Sequence, residues 1–521
     1  MPKLLDAIAA DHPDDLALSD EYGETTWSQL HERTRRLINV LRDAGLGPGD
    51  TVAMIMGNRR ECFELFQACA HTGITYVPVN WHWVADEVAY VLEDSGARVL
   101  FVGGRFADLA TDALADPRAA GVELALVVGE TASGPLQSYE EALAGASDAD
   151  IAAEEQMLGG PMFYTSGTTG RPKGVRGSLA GGADIPSEVM QLIASGMSEY
   201  VPAGGRSLLV GPVYHSAQWA FTFFPMVGGS SVVMRHKFDG AETVRLIGEK
   251  AITNVHLVPT QFKRMLDCSD DERAALAADS LHAVWHGAAP CPPAWKSAML
   301  DWFGPRVHEY YGSTEGAFIS TIRADDWLRK GGSVGKPLET IDVLVIDDEG
   351  RQVAQGDEGT LYFRNQMGMD FEYHNAPEKT AEAHLEPGVF TTGDVGYLDD
   401  VGYLWLSDRK IDMIISGGVN IYPAEIEAVI AEHGDVADVA VIGVPNDEFG
   451  EEVKAVVEVS AGVEANDELA KELLQRCGEK LAGYKRPRSV DFVAEMPRTG
   501  TGKILKRELR APYWAGTGRA I

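Results

Sequence analysis

Short apolar segments typical of buried strands alternate with helical patterns through most of this chain of 521 residues. The segment "TVAMIM" at residues 51–56 is followed, at residues 61–73, by apolar side chains at helical spacing. Similar strand-like segments recur as "TYVPVN", "ARVLFVG", "SLLVG", "SSVVM" and "NVHLVP". Strands that alternate with helices along a chain form mostly parallel sheets that are covered by helices. The pattern therefore predicts an α/β fold built on parallel-type sheets.

Two later regions depart from this alternation. Residues 341–365 combine alternating apolar residues with Asp-Glu-Gly and Gly-Asp-Glu-Gly turns, which favours antiparallel hairpins and a small β-barrel. After residues 402–410 the chain reads as helix, strand, loop, strand and long helix before a basic tail. A chain of this length also exceeds a single core. We predict a large N-terminal domain over residues 1–408 and a small α+β domain over residues 412–521.

The charge balance restricts the partners of the protein. The chain carries 78 acidic and 45 basic residues, which gives a formal net charge of −33 at pH 7. Nucleic acids and anionic membranes repel such a surface, so neither is expected as a main partner. An anionic substrate must therefore be met by local basic residues.

Cysteine usage and the apolar pattern indicate a compartment. The five cysteines, with no Cys-x-x-Cys and no metal-ligand spacing, are Cys62, Cys69, Cys268, Cys291 and Cys477. Scattered thiols of this kind suit a reducing compartment. No run of about 18 apolar residues predicts a transmembrane span, and acids occur too early in "MPKLLDAIAADHPDD" for a secretory signal. We expect a cytoplasmic protein without integral membrane association.

The segment "YTSGTTGRPKG" at residues 164–174 carries the first chemical signal. Glycines allow positive φ and close backbone approach, so consecutive N–H groups of such a loop form an anion nest. Further donors are the hydroxyl groups of Thr165, Ser166, Thr168 and Thr169. Lys173 adds a positive charge, and its order before Gly174 differs from the Gly-Lys-Ser/Thr of a Walker A loop. An anion site is one interpretation of the segment, and a polar surface turn is the other.

Six further motifs follow this loop. They are "PVYHSA" at 212–217, "HGAAPC" at 286–291, "EYYGSTEGA" at 309–317, "FTTGDVGYLD" at 390–399, "DRKIDMIISGGVNIYPAEIE" at 408–427 and "PRTGTGKILKREL" at 497–509. In this order, together with residues 164–174, they resemble the signature motifs of the adenylate-forming superfamily. That superfamily includes acyl-CoA synthetases, luciferases and the adenylation domains of peptide synthetases. The resemblance covers nearly the whole chain.

The resemblance implies two half-reactions that use ATP, Mg²⁺ and coenzyme A. ATP and a carboxylic acid give an acyl-adenylate and pyrophosphate, and the thiol of coenzyme A then displaces AMP to give a thioester. A carboxylate is a poor electrophile. The enzyme must therefore neutralise the triphosphate, align the acid with the α-phosphate and exclude water.

The resemblance also implies the catalytic residues. Lys503 would bridge the substrate carboxylate and the α-phosphate, and His215 would orient the acid. Glu315 and Thr165 would provide oxygen ligands to Mg²⁺, which is a hard cation.

The same motifs imply the nucleotide contacts. Tyr311 would stack on adenine, and Asp394 would bind the ribose hydroxyls with support from Arg409. The full set of implied ATP and AMP contacts is Thr165, Ser166, Gly167, Thr168, Thr169, Gly170, Lys173, Gly287, Ala288, Ala289, Tyr311, Gly312, Ser313, Thr314, Asp394 and Arg409.

The superfamily turns its small C-terminal domain between the half-reactions, which implies a hinge at residues 409–411 and a mobile lid at 412–521. The residues expected near coenzyme A are Ser416, Gly417, Gly418, Lys485 and Arg486. Ile411 stands where the family usually has Asp or Lys, and a β-branched apolar residue is stiff and prefers burial.

Two interpretations of the hinge stay open. In the first, Lys410 and Asp412 suffice, and the chain is a complete acyl-CoA synthetase. In the second, the chain only adenylates and passes the acyl group to a carrier protein or another ligase. The intact motif residues argue against a binding protein without activity, and a luciferase-type oxygenase activity is not excluded by the sequence.

The region after "PVYH" indicates which acid is activated. Amino-acid-activating relatives place an Asp there to pair with the substrate ammonium, and residues 215–229 contain no carboxylate. The run is instead rich in large apolar residues, which are Trp219, Phe221, Phe223, Phe224 and Met226. The expected pocket residues are Tyr214, His215, Trp219, Phe221, Gly287, Gly312 and Gly316. These features favour a fatty, aryl or polycyclic acid. The sequence does not decide between a monomer and a homodimer.

Overall fold

The computed structural model describes residues 5–130, 132–152, 156–165, 172–177, 201–289, 291–347, 349–409, 412–416, 419–446, 449–481, 483–498 and 504–515. The strands in these segments are β1 (Leu16–Asp20), β2 (Gly23–Thr26), β3 (Thr51–Ile55), β4 (Thr75–Pro78), β5 (Ala97–Gly103), β6 (Leu124–Val128), β7 (Gln137–Ser138), β8 (Met162–Thr165), β9 (Lys173–Gly177), β10 (Arg206–Leu209), β11 (Ser231–Met234), β12 (Asn254–Leu257), β13 (Ala283–His286), β14 (Val307–Ser313), β15 (Ala317–Ile322), β16 (Lys336–Pro337), β17 (Ile341–Ile346), β18 (Gly359–Asn365), β19 (Phe371–Tyr373), β20 (His384–Glu386), β21 (Val389–Leu398), β22 (Leu404–Arg409), β23 (Ile414–Ser416), β24 (Val419–Ile421), β25 (Val436–Asn446), β26 (Gly450–Val459) and β27 (Ser489–Val493).

The helices in the same segments are α1 (Asp6–Asp11), α2 (Trp27–Asp43), α3 (Arg60–Thr72), α4 (Ala85–Ser95), α5 (Ala107–Leu114), α6 (Tyr139–Gly145), α7 (Ser216–Val227), α8 (Gly240–Glu249), α9 (Pro259–Leu266), α10 (Asp270–Ala274), α11 (Pro293–Phe303), α12 (Ala324–Arg329), α13 (Pro377–Ala383), α14 (Pro423–Ala431), α15 (Asp467–Lys480) and α16 (Lys506–Trp514). Short 3₁₀ turns lie at Gly104–Phe106, Pro117–Gly121 and Gly483–Lys485. Within the segments that the structure describes, no helix is both long enough and apolar enough to cross a membrane.

The alternation of strands and helices produces the expected parallel sheets. Five strands pair in parallel in the order β4-β3-β5-β6-β7. Strand β3 is buried along its whole length, as is typical of a parallel strand with helices on both faces of the sheet. Helix α3 follows it and ends at Gly73, whose φ of 69° is the left-handed conformation that commonly terminates a helix.

A second sheet has nine strands in the order β16-β15-β14-β13-β12-β10-β11-β1-β2. Its central strands are parallel, and β2, β15 and β16 are antiparallel at the edges. Segments that follow parallel strands meet at the carboxyl edge of the sheet, where ligands of such folds bind. The segment with His215 follows β10, Gly287 follows β13 and Glu315 follows β14, so all three come to this edge.

Residues 341–365 form the antiparallel hairpin β17–β18 that the sequence predicts. Strand β21 pairs with β18, β20 and β22, which completes a five-stranded antiparallel sheet. Among the described strands, no pairing joins β17 to β20 or β22, so this sheet is open where the sequence suggested a small barrel. Leu404 at the start of β22 instead bridges to Gly335, next to the last strand of the nine-stranded sheet.

The final sheet has the order β24-β23-β26-β25, with β27 paired in parallel to β26. The predicted series of helix, strand, strand and helix is confirmed as α14, β25, β26 and α15. Apolar residues of these four elements share one core, which includes Ile426, Val441, Val457 and Leu473. Strand β27 lies inside the basic tail and was not predicted, because its alternating Val and Phe residues are few and stand among charged residues.

Candidate active site

The glycine-rich segment connects strands β8 and β9, which form a hairpin. Thr165 and Lys173 stand opposite each other in the antiparallel pairing of these strands. The expected contacts Ser166, Gly167, Thr168, Thr169 and Gly170 lie outside the described residues. The hairpin thus brings the first and last chemical groups of the loop close together, as an anion site requires.

Lys173 lies among other charged side chains. Its ammonium nitrogen is 5.2 Å from the ring centre of Tyr373. Burial, followed by the nearby Lys379, lowers the pKa of Lys173, while Glu315 and Glu382 act in the opposite direction. Adjacent lysine side chains repel each other and are stabilised by an anion between them. Lys379 is on α13, far along the chain, and no local pattern in the sequence pointed to it.

Glu315 stands in the loop between β14 and β15. The hydroxyl of Tyr373 donates a hydrogen bond of 3.0 Å to Glu315 Oε1. In the described parts of the chain, no group of three or more His, Cys, Asp or Glu side chains could hold a metal ion. Mg²⁺ is usually held by one or two carboxylates together with substrate phosphates. Glu315 and the Thr165 hydroxyl are oxygen donors of the kind that such a cation takes, and their role toward Mg²⁺ stays a prediction.

Asp394 is held by two hydroxyl groups. Tyr311 donates to Asp394 Oδ2 at 2.5 Å, and Thr392 Oγ1 donates to the same oxygen at 2.7 Å. The exposed fraction is 7% for Asp394 and 9% for Tyr311, so these bonds fix the carboxylate within a nearly buried site. Arg409 stands opposite Asp394 in the pairing of β21 with β22, while its side chain lies outside the described part. The two motifs that were expected to hold adenine and ribose are therefore adjacent.

The segment after β13 has a strained backbone. Ala288 has a φ of 65°, which is the left-handed region that residues with a Cβ rarely adopt. A Cβ placed on Gly287 would lie 2.5 Å from the Tyr310 ring. A Cβ on Gly312 would lie 2.0 Å from the carbonyl oxygen of Ala317. Small residues are therefore required where these segments pack against the neighbouring strands. Ala289 beside them is half-buried, and the role of Gly287, Ala288 and Ala289 toward the base stays a prediction.

The tip of the β14–β15 hairpin is tied to the start of α7. The backbone N–H of Gly316 donates to Ser313 Oγ at 2.8 Å, and the hydroxyl groups of Ser216 and Thr314 are 3.1 Å apart. These bonds hold the expected nucleotide residues Ser313 and Thr314 next to the segment with His215.

His215 immediately precedes α7. Burial, with smaller contributions from His82 and His256, lowers the pKa of His215 to about 3. The imidazole is therefore neutral at pH 7. Its Nε2 atom is buried and has no hydrogen-bond partner among the described residues. A neutral imidazole donates from one ring nitrogen and accepts at the other, and the role of His215 toward the acid stays a prediction.

Asn58 holds the segment that contains His215. Its side-chain nitrogen donates to the carbonyl oxygens of Gly211 and Arg235, both at 2.8 Å, and its side-chain oxygen accepts from Val213 N–H at 3.0 Å. The residue is 1% exposed. Asn58 follows β3 of the five-stranded sheet, so it joins the carboxyl edges of the two parallel sheets. The sequence analysis did not identify it, because its partners are more than 150 residues away.

The aromatic residues of α7 divide between two cores. Trp219, Phe223, Phe224 and Met226 belong to the large core beneath the sheets, and Trp219 stacks on Phe223 at 4.8 Å. The helix face with Phe221 instead packs in a smaller cluster with Ala283, Trp285 and Tyr310.

Tyr214 and Gly316, two other expected pocket residues, are held in close contacts. The hydroxyl of Tyr214 is 3.0 Å from His82 Nδ1. A Cβ on Gly316 would lie 3.0 Å from Phe390, so this position is also closely packed.

The expected residues of the C-terminal region are only partly described. Ser416 ends β23, whereas Ile411, Gly417, Gly418 and Lys503 lie outside the described residues. Lys485 Nζ donates to Glu425 Oε2 at 2.5 Å, and Arg486 Nε donates to the carbonyl oxygen of Leu481 at 3.1 Å. The roles of these residues toward coenzyme A stay predictions.

Comparison with known families agrees with this arrangement. The sequence model of the family described as AMP-binding enzyme matches residues 5–370, and that of the AMP-binding enzyme C-terminal domain matches residues 425–503. The chain therefore belongs to the AMP-binding enzymes, the adenylate-forming superfamily, and is acyl-CoA synthetase-like. The family predicted from the seven motifs is confirmed.

Individual relatives are ligases that act on acids. The chain is 34% identical over 498 residues to the long-chain-fatty-acid–CoA ligase FadD13 of Mycobacterium tuberculosis. The matched region covers 94% of this chain and 93% of the relative. The chain is 32% identical over 506 residues to the fatty acid–[acyl-carrier-protein] ligase ScoC of Streptomyces coeruleorubidus, with coverage of 95% and 93%. The solved structure of the anthranilate CoA ligase AuaEII in complex with anthranoyl-AMP has a TM-score of 0.87 at 25% identity, with coverage of 98% and 96%.

Proposed function

We propose that this protein activates a hydrophobic carboxylic acid with ATP and then transfers the acyl group to coenzyme A. In the first step a carboxylate oxygen attacks the α-phosphorus of ATP, the bond between the α- and β-phosphates breaks, and pyrophosphate leaves. In the second step the thiolate of coenzyme A attacks the acyl carbonyl, a thioester forms, and AMP leaves. The observation that supports the proposal is that strand β14 and the loop after it contact both motifs: Tyr373, over whose ring Lys173 lies, donates to Glu315, and Tyr311 donates to Asp394.

The groups that surround the triphosphate have distinct tasks. Lys173, with Lys379 beside it, supplies positive charge for the phosphates in a chain that is otherwise strongly acidic. Glu315 is oriented by Tyr373 toward the same region. Mg²⁺ bound to ATP would supply further neutralisation of phosphate charge when present. Lys503 is proposed to approach the α-phosphate from the C-terminal domain.

A second set of groups is proposed to hold the nucleoside and the acid so that the carboxylate is aligned with the α-phosphate. Asp394, fixed by Tyr311 and Thr392, accepts hydrogen bonds from the ribose hydroxyls. His215 remains neutral because of its lowered pKa, so it approaches the acid without adding a charge that would compete with the lysines. Alignment of this kind supplies a large part of the rate enhancement of bimolecular reactions.

The acceptor of the acyl group has two candidates. Coenzyme A is favoured because relatives such as FadD13 are named CoA ligases. A carrier protein is the second candidate, because ScoC is named a ligase to acyl-carrier protein and Ile411 departs from the polar hinge residue of the family. We propose residues 409–411 as the hinge and 412–521 as the lid that presents either acceptor.

The proposed function is tested by product analysis with ATP, Mg²⁺ and a panel of apolar acids, each with and without coenzyme A. Sustained AMP release together with an acyl-CoA thioester is expected. If pyrophosphate and acyl-adenylate form but coenzyme A changes neither rate nor product, the acceptor is a different thiol. If no acid increases pyrophosphate release above the rate with ATP alone, the proposal is wrong.

We further propose that the protein is cytoplasmic and is either a monomer or a homodimer. The scattered cysteines, none of which is in a disulfide, support a reducing compartment. Light scattering after size-exclusion chromatography decides between 56.3 kDa and twice that mass.

A further inference from the structure

Three aromatic rings close the space between the first turn of α7 and the hairpin β14–β15. The ring centres of Phe221 and Tyr310 are 5.2 Å apart, those of Phe221 and Phe318 are 5.3 Å apart, and those of Tyr310 and Phe318 are 5.1 Å apart. Each ring therefore contacts both of the others, at the distances that are typical of favourable aromatic pairs. Phe221 and Tyr310 are buried, whereas Phe318 is half-buried. We call these three residues the aromatic triangle.

The aromatic triangle lies directly behind the residues that are expected to meet the acid. Phe318 is the cross-strand partner of Gly312. Half-buried Ala217, in the first turn of α7, packs against the cluster that contains Phe221 and Tyr310. Phe221 follows Ala217 by four helical residues, a rise of about 6 Å. Ala217 and Phe221 therefore contact the same cluster about one helical turn apart, and the buried ring of Phe221 lies one turn beyond the segment with His215.

A series of hydrogen bonds fixes Tyr310 of the aromatic triangle in place. Gln218 Nε2 is 2.8 Å from His256 Nδ1, and His256 Nε2 is 3.1 Å from the hydroxyl of Tyr310. Gln218 Nε2 also lies 3.5 Å from the His256 carbonyl oxygen, which only accepts, so the amide nitrogen is the atom that faces the histidine. Nδ1 therefore accepts, and Nε2–H donates to Tyr310.

The ring of His256 also contacts the aromatic triangle directly. Phe221 stacks on it with the ring centres 4.8 Å apart and the planes 19° apart. Burial lowers the pKa of His256 to about 3, so the ring stays neutral under ordinary conditions. Two of the three rings of the aromatic triangle are thus fixed by neighbours that are themselves buried.

We infer that the acid pocket of this protein is short and that its substrates are compact acids, with one aromatic ring or a short branched chain, rather than long fatty acids. This inference rests on the proposed function and narrows its substrate class. A long chain would have to displace Phe221 or Tyr310, and forcing extra methylenes into a packed interior is unfavourable. A flat ring, in contrast, can pack against Phe318 in the geometry that aromatic pairs prefer.

The first test compares kcat/KM for acid-dependent AMP formation across benzoate, phenylacetate, cinnamate, isovalerate, octanoate, dodecanoate and palmitate. The best aryl or short branched acid is expected to exceed dodecanoate by about 100-fold, which is what a mismatch of a few methylenes supplies. If dodecanoate or palmitate is used as well as the compact acids, the inference is wrong while the proposed function stands. If no acid of the panel is used, the proposed function fails as well.

The second test uses two matched variants of one helix. Phe221→Leu replaces one ring of the aromatic triangle with a smaller side chain, and Phe223→Leu makes the same change at a residue that faces the large core. We expect Phe221→Leu to raise the octanoate-to-benzoate ratio of kcat/KM by about tenfold and Phe223→Leu to leave that ratio unchanged. Equal ratios in the two variants would overturn the role of the aromatic triangle.

A third variant separates the ring of Tyr310 from its hydroxyl. Tyr310→Phe keeps the ring and removes the bond to His256. It is expected to retain turnover of compact acids and to shift the chain-length profile in the same direction as Phe221→Leu. An unchanged profile would show that the hydrogen bonds do not limit the depth of the pocket.

Discussion

Asn58 and Tyr373 show what single residues contribute that motifs do not reveal. Both contact site residues that are far away in the chain, Asn58 through the backbone of 211–213 and Tyr373 through Glu315. The residues within the seven motifs could be identified from the sequence, because their spacing is local. A bond between distant segments leaves no local pattern, so these two residues required the structure.

The role of Asn58 predicts a selective defect. Asn58→Ala removes the two hydrogen bonds that fix residues 211–213, just before His215, and a third that ties them to Arg235. We therefore expect KM for the acid to rise about tenfold while the affinity for ATP stays within twofold, since a misplaced contact costs about 1–2 kcal/mol. The measurement is steady-state pyrophosphate release. Asn254→Ala is the control, because Asn254 is equally buried but bonds to Ser207. A rise of the same size in both variants would indicate general destabilisation.

Lys503 is the residue whose loss should separate binding from chemistry. We expect Lys503→Ala to lower acid-dependent pyrophosphate release by about 10²–10³-fold with the fold intact, because one preorganised charge at a developing anion has that effect. Lys506→Ala is a suitable control in the same basic tail, since Lys506 forms an ion pair with Glu427 at 2.7 Å. Near-normal pyrophosphate release from Lys503→Ala would contradict the assignment.

Helix α11 and strand β14 are joined by an ion pair behind the strained Ala288 segment. Lys296, which is 1% exposed, pairs with Glu309, and the Lys296 ammonium is 4.8 Å from the ring centre of Trp327. Burial lowers the pKa of Lys296 and raises the pKa of Glu309. Each charge in this interior therefore depends on the other.

Replacing one member of the Lys296–Glu309 pair should lower the free energy of unfolding far more than replacing both. We expect Lys296→Met to lower the free energy of unfolding by about 3–5 kcal/mol and the double variant Lys296→Met/Glu309→Leu to recover most of that loss. Urea unfolding measures both. Lys263→Met, which breaks the exposed pair with Asp267, should cost less than about 1 kcal/mol. A double variant that is as unstable as Lys296→Met would contradict the argument.

The elements themselves were predicted unevenly. The strands β3, β5, β10 and β12 were predicted because long apolar runs bounded by helices have few alternative structures. The antiparallel sheet around β21 was predicted as a barrel, since sequence patterns indicate alternation but not which edge strands meet. Strand β27 was missed because a short strand in a charged segment is stabilised by its pairing with β26 rather than by its own pattern.

At the scale of the whole molecule, buried neutral histidines link stability to pH. Burial lowers the pKa of His256 to about 3 and that of His286 well below its usual value. The unfolded chain binds a proton at each of these sites below about pH 6.5, whereas the folded chain does not. Their contribution to stability is therefore complete above pH 6.5 and is lost as the pH falls toward 3.

This linkage predicts acid sensitivity well above the range in which carboxylates titrate. Each of the two histidines should lower the free energy of unfolding by about 1.4 kcal/mol per pH unit below pH 6. Urea midpoints measured between pH 7 and 5 test the slope. His256→Gln should reduce it by one proton. Identical slopes for the parent and His256→Gln would contradict the prediction.

Strand β21 carries Asp394 and pairs with β22, whose last residue, Arg409, is the first residue of the proposed hinge. The residue proposed to bind the ribose and the start of the proposed hinge thus belong to one ladder of backbone hydrogen bonds. Departure of the nucleotide would loosen this ladder and a bound nucleotide would tighten it, so the amides of β22 would exchange with deuterium more slowly when AMP is present. Rotation of the proposed lid domain and release of AMP would then both depend on the pairing of β21 with β22.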